Sequence, residues 1–503
     1  MNTTHNKNRV TSPVHPWLHE IGVSFVPGPR VPLLEEVADG LLNHFRFLGH
    51  RVQDVPNEHT DVILTTAHFG DPLDWRESLI FTTRRRFDLD HAPTIYTLMH
   101  MTPAGFQGLL SHFQTVLEKE PPGPAGYDFP GLAPEAYQVL FEQGRRGGPI
   151  LALERLVQGQ TKSIHVLLVV GDDRPLAVYH FDLVGAYPRT EAENLDLFYQ
   201  DIVLRIVTTV STSEVTEHEV VGETIPHDLW QRLDTPVSMC AAARQLGKRN
   251  FFTKMVRIAD LVHVPAVQDA VSDQYSEGCF ATWDPTLDGL IATVTGSARP
   301  VDKGSITEDD LAVIVGVRPD GRGAQVRHVE GKYNDPPSSE AVEMMDMDSI
   351  LSTITLEGDG ESAMQAPVVR SKLHGHRGIA AYDPRHVEYV PMAPQYHYYP
   401  VSCATEAQAR GIKDAFARSE ALQDPDESRQ VVFTVLPTHG IVIVEKWVNG
   451  KAPFQVMWEY MDAGYLQVES FIPQGLVEYL PGPDDRMVLQ TAESAPTRLL
   501  RRG

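Results

Sequence analysis

A chain of 503 residues, 42% hydrophobic and 22% charged, has globular usage and exceeds what one hydrophobic core supports. Its formal net charge of −24 argues against a phosphate backbone as partner, because nucleic-acid affinity is carried by clustered Lys and Arg. No apolar run approaches the roughly 18 residues that span a bilayer, and Cys240, Cys279 and Cys403 are too scattered for a disulfide framework or a cysteine zinc site, which points to a reducing compartment.

In chain order, residues 1–20 are polar and read as a flexible leader on a cytoplasmic protein. IGVSFVPGP (21–29) reads as a strand closed by Pro and Gly, and VPLLEEVADGLLNHFRFLGH has apolar residues at helical spacing. The alternation continues with strands at 61–70 and 92–101 and a helix in WRESLIFTTRRRF between them. KSIHVLLVVGDD (162–173) is the clearest strand, and its end at Gly171-Asp172-Asp173 is either a ligand edge or a plain turn. Such alternation predicts a parallel sheet covered on both faces. The expected organisation is a Rossmann-like α/β domain over 21–160 and a second α/β domain over 161–290.

Over 291–495 the texture becomes β-rich, with LAVIVGV, AQVRHVEG, RQVVFTVLPTHGIVIVEKWVNG and PFQVMWEYMDAGYLQVESF as strand-bearing segments. Asn449-Gly450 signals a two-residue hairpin. ATEAQARGIKDAFARSEAL is the helix of this part, and the polar stretch 336–360 is expected to be a protease-sensitive loop without a buried helix. The fold class is therefore α/β, with Rossmann-like parallel-sheet domains followed by a β-rich C-terminal domain.

Two constellations carry chemistry. In YSEGCFATWDPTLDGLIATVTG, Glu277, Asp284 and Asp288 precede a helix-like apolar stretch. They are either caps at a helix start, with Pro285 at its first position, or hard oxygen donors for Mn²⁺ or Mg²⁺. Cys279 is a candidate nucleophile with no histidine assignable to it. The second constellation is VRSKLHGHRGIAAYDPRHVEYVPMAPQYHYYP, with His374, His376, His386 and His397. A His-Gly-His step sets two imidazoles on one side, suited to a metal or to proton transfer, and Arg377 beside them suits an oxyanion or carboxylate. The alternative is an aromatic loop whose histidines serve packing.

The segment 275–300, an acid and a cysteine before an aspartate, then Gly-Leu-Ile-Ala and the exit Thr-Gly-Ser-Ala-Arg-Pro, resembles L-fucose and L-arabinose isomerase-like proteins. In that family the segment supplies an aspartate to a catalytic Mn²⁺. This chain departs from the pattern in having Thr282, not a glutamate, two residues before Asp284. The resemblance implies Glu277 as base or ligand, Asp284 and His328 as further metal ligands, and His374 or His376 as a proton shuttle. It implies a metal-dependent isomerase acting on a sugar or other polyhydroxylated carbonyl compound through an enediol. A non-enzymatic ligand-binding protein on the same scaffold and a metal-dependent hydrolase are the alternatives. A homo-oligomer with a sugar-like substrate, and with neither nucleic acid nor membrane as partner, is the expected form.

Overall fold

The computed structural model describes residues 18–68, 93–108, 111, 164–181, 187–212, 216–249, 251–252, 278–295, 303–356, 363–398, 401–437, 439–469 and 476–491. Glu277, the Arg84–Arg86 and Arg145-Arg146 runs and the helix expected in WRESLIFTTRRRF lie outside them. The described residues form two compact units, one comprising those up to 212 with 401–402, the other the remainder.

The first unit is built on strands β1 (Gly22–Val26), β2 (Arg51–Gln53), β3 (Val62–His68), β4 (Thr94–Met101), β5 (Ile164–Gly171), β6 (Pro175–Phe181) and β7 (Tyr187–Glu191), in the order β2-β1-β3-β4-β5-β6-β7. Pairing is parallel from β2 through to β5 and antiparallel beyond it. Helix α1 (Pro32–Phe47) forms because Leu34, Val37, Leu41 and Phe45 recur at one-turn spacing, giving one apolar stripe, and Pro32 stands where its missing N–H costs nothing. That stripe and helix α2 (Leu195–Thr212) pack on one face of the sheet, over Val62, Leu64, Tyr96 and Leu167. Each such large side chain contributes about 1.5–3 kcal/mol when fully buried. Gly171–Asp173 belongs to the turn that carries β5 into antiparallel β6.

The second unit holds β8 (Glu219–Val220), β9 (Cys279–Asp284), β10 (Gly289–Thr293), β11 (Leu311–Val317), β12 (Ala324–Arg327), β15 (Val369–Gly375), β17 (Val387–Tyr389), β18 (Val431–Leu436) and β19 (Gly440–Lys446). They form one sheet ordered β17-β18-β19-β15-β9-β10-β11-β12-β8. A ribbon, β13 (Thr353–Leu356) and β14 (Met364–Pro367), and a smaller sheet of β16 (Gly378–Tyr382), β20 (Leu466–Glu469), β21 (Val477–Pro481) and β22 (Met487–Thr491) complete it. Along β9 and β15 side chains alternate between faces. Phe280 and Leu373 point to a core shared with helix α3 (Asp234–Lys248) and helix α6 (Gln455–Asp462). Cys279, Ala281 and Trp283 point the other way, toward helix α4 (Ala341–Asp346), which packs on α5 (Glu406–Phe416).

Four expectations are corrected here. The stretch after Asp284 is no helix but β10, because Asp284 closes a hairpin in which Asp288 takes a left-handed φ of 48°. The expected loop at 336–360 contains α4, whose Ala341, Val342, Glu343 and Met344 are buried. Asn449-Gly450 does make a turn, with Lys451 N donating to Val448 O at 3.1 Å, but the chain then enters α6 and no hairpin strand follows. The elements from 216 to 249 belong with the later sheet, where β8 pairs with β12 and α3 packs on the face.

Candidate metal centre

His374 stands at the end of β15, and His376 follows it in the turn into β16. The β15–β19 pairing sets Gly375 beside Ile441, and so brings His439, just before β19, against both. Close backbone approach makes this work: a Cβ on Gly440 would lie 2.2 Å from Gly375 O, so only glycine lets the two strand ends meet. The ring centroids of His374 and His376 are 5.1 Å apart, those of His376 and His439 4.4 Å, and those of His374 and His439 5.3 Å. The ligand atoms of the three imidazoles all lie within 4.8 Å of one another. His374 and His439 are buried, while His376 is half-buried and opens the cluster outward.

The tautomer of neutral His374 is fixed. Its Nδ1 is 3.2 Å from Ile441 O, a carbonyl that can only accept, so Nδ1 carries the hydrogen and Nε2 presents the lone pair. Nε2 in turn is 4.0 Å from Oε1 of Glu340, the residue that starts α4. Burial acts to raise the Glu340 pKa, but positive charge on protonated His374, the Ser338 hydroxyl that donates to it and positive charge on His376 outweigh that and hold the carboxyl well below the usual range in the metal-free site. It is therefore an ionised base beside three imidazoles.

Beneath lie Cys279, Lys303 and Glu343. Burial, then the Glu340 charge, pushes the Cys279 thiol well up, so it stays protonated and is a poor nucleophile. Burial and then Glu340 push Glu343 well up as well, so it is held neutral. Lys303 Nζ donates to Val294 O at 3.2 Å, and burial pushes its ammonium down.

The residues named from sequence separate. His374 and His376 belong to the cluster, and Arg377 stands next to His376 in the same turn. Asp284 does not reach it. Its Oδ1 accepts from Thr286 N and Leu287 N, both at 3.0 Å, and it stands five residues along β9 from Cys279, about 17 Å at strand rise. His328 does not reach it either, since it follows β12, four strand spacings from β15, or about 19 Å. Asp284 and His328 thus stand apart from the imidazole cluster, and Glu277, named with them from the sequence, lies outside the described residues. His386 stacks on Tyr465 at 4.0 Å, and His397 is fully buried in the helix Pro394–Tyr398, so the histidine-dense segment splits between the cluster and packing.

His439 and Glu340 were not singled out by the sequence. The available signals were a Thr-His-Gly step between two β-rich, mainly apolar runs, and a Ser-Ser-Glu start before an apolar pair. Three imidazoles suit zinc-type ions better than Mn²⁺, which prefers oxygen donors. Three imidazoles leave at least one of the four usual zinc positions for another ligand. Among the described residues no helix is long and apolar enough to cross a membrane. Comparison with protein-family models and with curated proteins finds no match for this chain.

Proposed function

We propose that the chain is a metal-dependent enzyme acting on a hydroxy-carbonyl compound of the sugar class, with His374, His376 and His439 holding a zinc-type divalent ion. The observation that carries this reading is the imidazole triad, two of its three rings buried, with a carboxylate oxygen of Glu340 4.0 Å from one of its nitrogens. When bound, such an ion polarises a carbonyl and acidifies the adjacent C–H. In this reading Glu340 removes that proton. Ser338 holds one of its oxygens, which leaves the other to face His374 and the reacting carbon. The enediol so formed is common to aldose–ketose isomerisation and to reversible aldol cleavage, and returning the proton from Glu340 to the neighbouring carbon completes the former.

Protein purified without chelator should carry close to one equivalent of zinc, iron or cobalt, and His374→Ala should carry none. In D₂O the zinc-loaded protein should exchange carbon-bound hydrogen of dihydroxyacetone, followed by NMR. Glu340→Gln should slow the exchange by about 10²-fold or more while keeping the metal. Metal-loaded protein that hydrolyses esters yet exchanges no carbon-bound hydrogen would replace this reading with a hydrolase.

A further inference from the structure

Lys372 is wholly buried on β15, two residues before His374 and on the same face of the sheet. Its Nζ donates to Met344 O at 2.5 Å and pairs with the carboxylate of Asp348. Met344 lies in the last turn of α4, and Asp348 lies in the 3₁₀ turn Met347–Ile350 that follows it. One ammonium therefore ties the strand that carries His374 to the helix that begins at Glu340.

Desolvating both ions is expensive: burial pushes the Lys372 ammonium down and the Asp348 carboxyl up, each partly offset by the other. Hydrophobic replacements of such pairs are often as stable or more so, so a buried pair is weak grounds for a stability role and better grounds for a geometric one. The geometry here needs fixing. A six-residue helix is too short to hold itself, and Glu340 makes no side-chain cap to it. The helix C-terminal carbonyls attract a cation, and Lys372 supplies it from the strand. Lys413 from α5 reaches Asp346 at 3.0 Å, but that anchor is partly exposed and does not link to the histidine strand.

We propose that Lys372 is a positioning residue that holds Glu340 against the imidazole triad through α4, a role that rests on the functional reading above. It touches no ligand atom. Its effect runs through where Glu340 stands.

The test is a double-mutant cycle on Zn²⁺ affinity, measured by competition with a chromophoric chelator. In the wild-type background Glu340→Gln should weaken Zn²⁺ binding about tenfold, because it takes a negative charge from beside the ion. In the Lys372→Met/Asp348→Leu background, which removes both buried charges together, the same substitution should change affinity less than about twofold. Lys372→Met/Asp348→Asn serves if the first pair fails to fold. Hydrogen exchange should show amides 341–346 opening at least tenfold faster in the double variant, with β18 unchanged. An equal Glu340→Gln effect in both backgrounds, with 341–346 still protected, overturns the inference and leaves the functional reading standing. A Glu340→Gln that is silent on Zn²⁺ affinity in the wild-type background overturns the inference, and the D₂O exchange decides separately whether Glu340 is the base. If the wild type binds no Zn²⁺, the functional reading falls and the inference that rests on it falls with it.

Discussion

Asp284 and Glu340 are both acids set in polar turns, and their surroundings separate their roles. Asp284 is buried and its Oδ1 accepts from two backbone N–H groups of its own turn, which makes it a local cap. Glu340 gives one oxygen to Ser338 and turns the other toward an imidazole from a different strand. Asp284→Ala should therefore lower stability to chemical denaturation by about 1–2 kcal/mol and leave Zn²⁺ affinity unchanged. His439→Ala should do the reverse, weakening Zn²⁺ at least about 100-fold with little change in the apo transition. If Asp284→Ala instead abolished metal binding, the site would have to be moved to the β9–β10 turn. The sequence shows half of this site. A His-x-His step is visible because its partners are neighbours in the chain, whereas His439 becomes a partner only when β19 pairs with β15. Glu340 needs both that sheet and a helix lying over it.

Among the elements, α1 is legible in the sequence because it repeats its apolar stripe over several turns. Helix α4 is not, since its six residues hold two acids and are kept in place by Lys372 and Lys413 from distant segments. Helix α6 reads as a strand because QVMWEYMD is dense in aromatic and β-favouring residues, and tertiary contact overrides that preference. Its first turn is held by Glu445 of β19, whose Oε2 accepts from Met457 N at 2.8 Å and whose Oε1 accepts from Ser371 Oγ at 3.4 Å. Burial pushes the Glu445 carboxyl up to about 7, with the backbone donors opposing it. The folded state thus keeps a proton that the unfolded chain gives up near 4.5. Stability from this group is fully present below that value, falls as pH rises from about 4.5 to 7, and is flat above. Glu445→Gln keeps the acceptor for Met457 N and should remove that slope. At pH 8 the variant should be more stable, by on the order of 3 kcal/mol. A melting series with the same slope in both proteins would show that Glu445 is ionised in the fold throughout.

At the scale of the whole molecule, a net charge of −24 gives the chain a diffuse affinity for any divalent cation, and this must be separated from ligation. The triad joins residues 374, 376 and 439, so the site exists only once β15 and β19 are paired, and an ion bound there stabilises the folded unit by mass action. At a free concentration of 100 times Kd this amounts to about 2.7 kcal/mol. Zn²⁺ should therefore raise the melting temperature at micromolar levels, whereas Mg²⁺ and Ca²⁺ at the same level should not, since imidazole discriminates against hard ions and diffuse charge does not. Lowering the pH from about 8 to 5 should abolish the Zn²⁺ shift, because imidazoles ligate only when neutral. Salt should leave it nearly untouched, while screening would erase a nonspecific effect. Hydrogen exchange places the effect. Added protection should fall on β15, β19 and 338–346, and not on β1 or β3–β5 of the first unit. Equal stabilisation by Mg²⁺ and Zn²⁺, lost in high salt, would mean that the ions respond to the acidity of the chain and that the three imidazoles hold nothing.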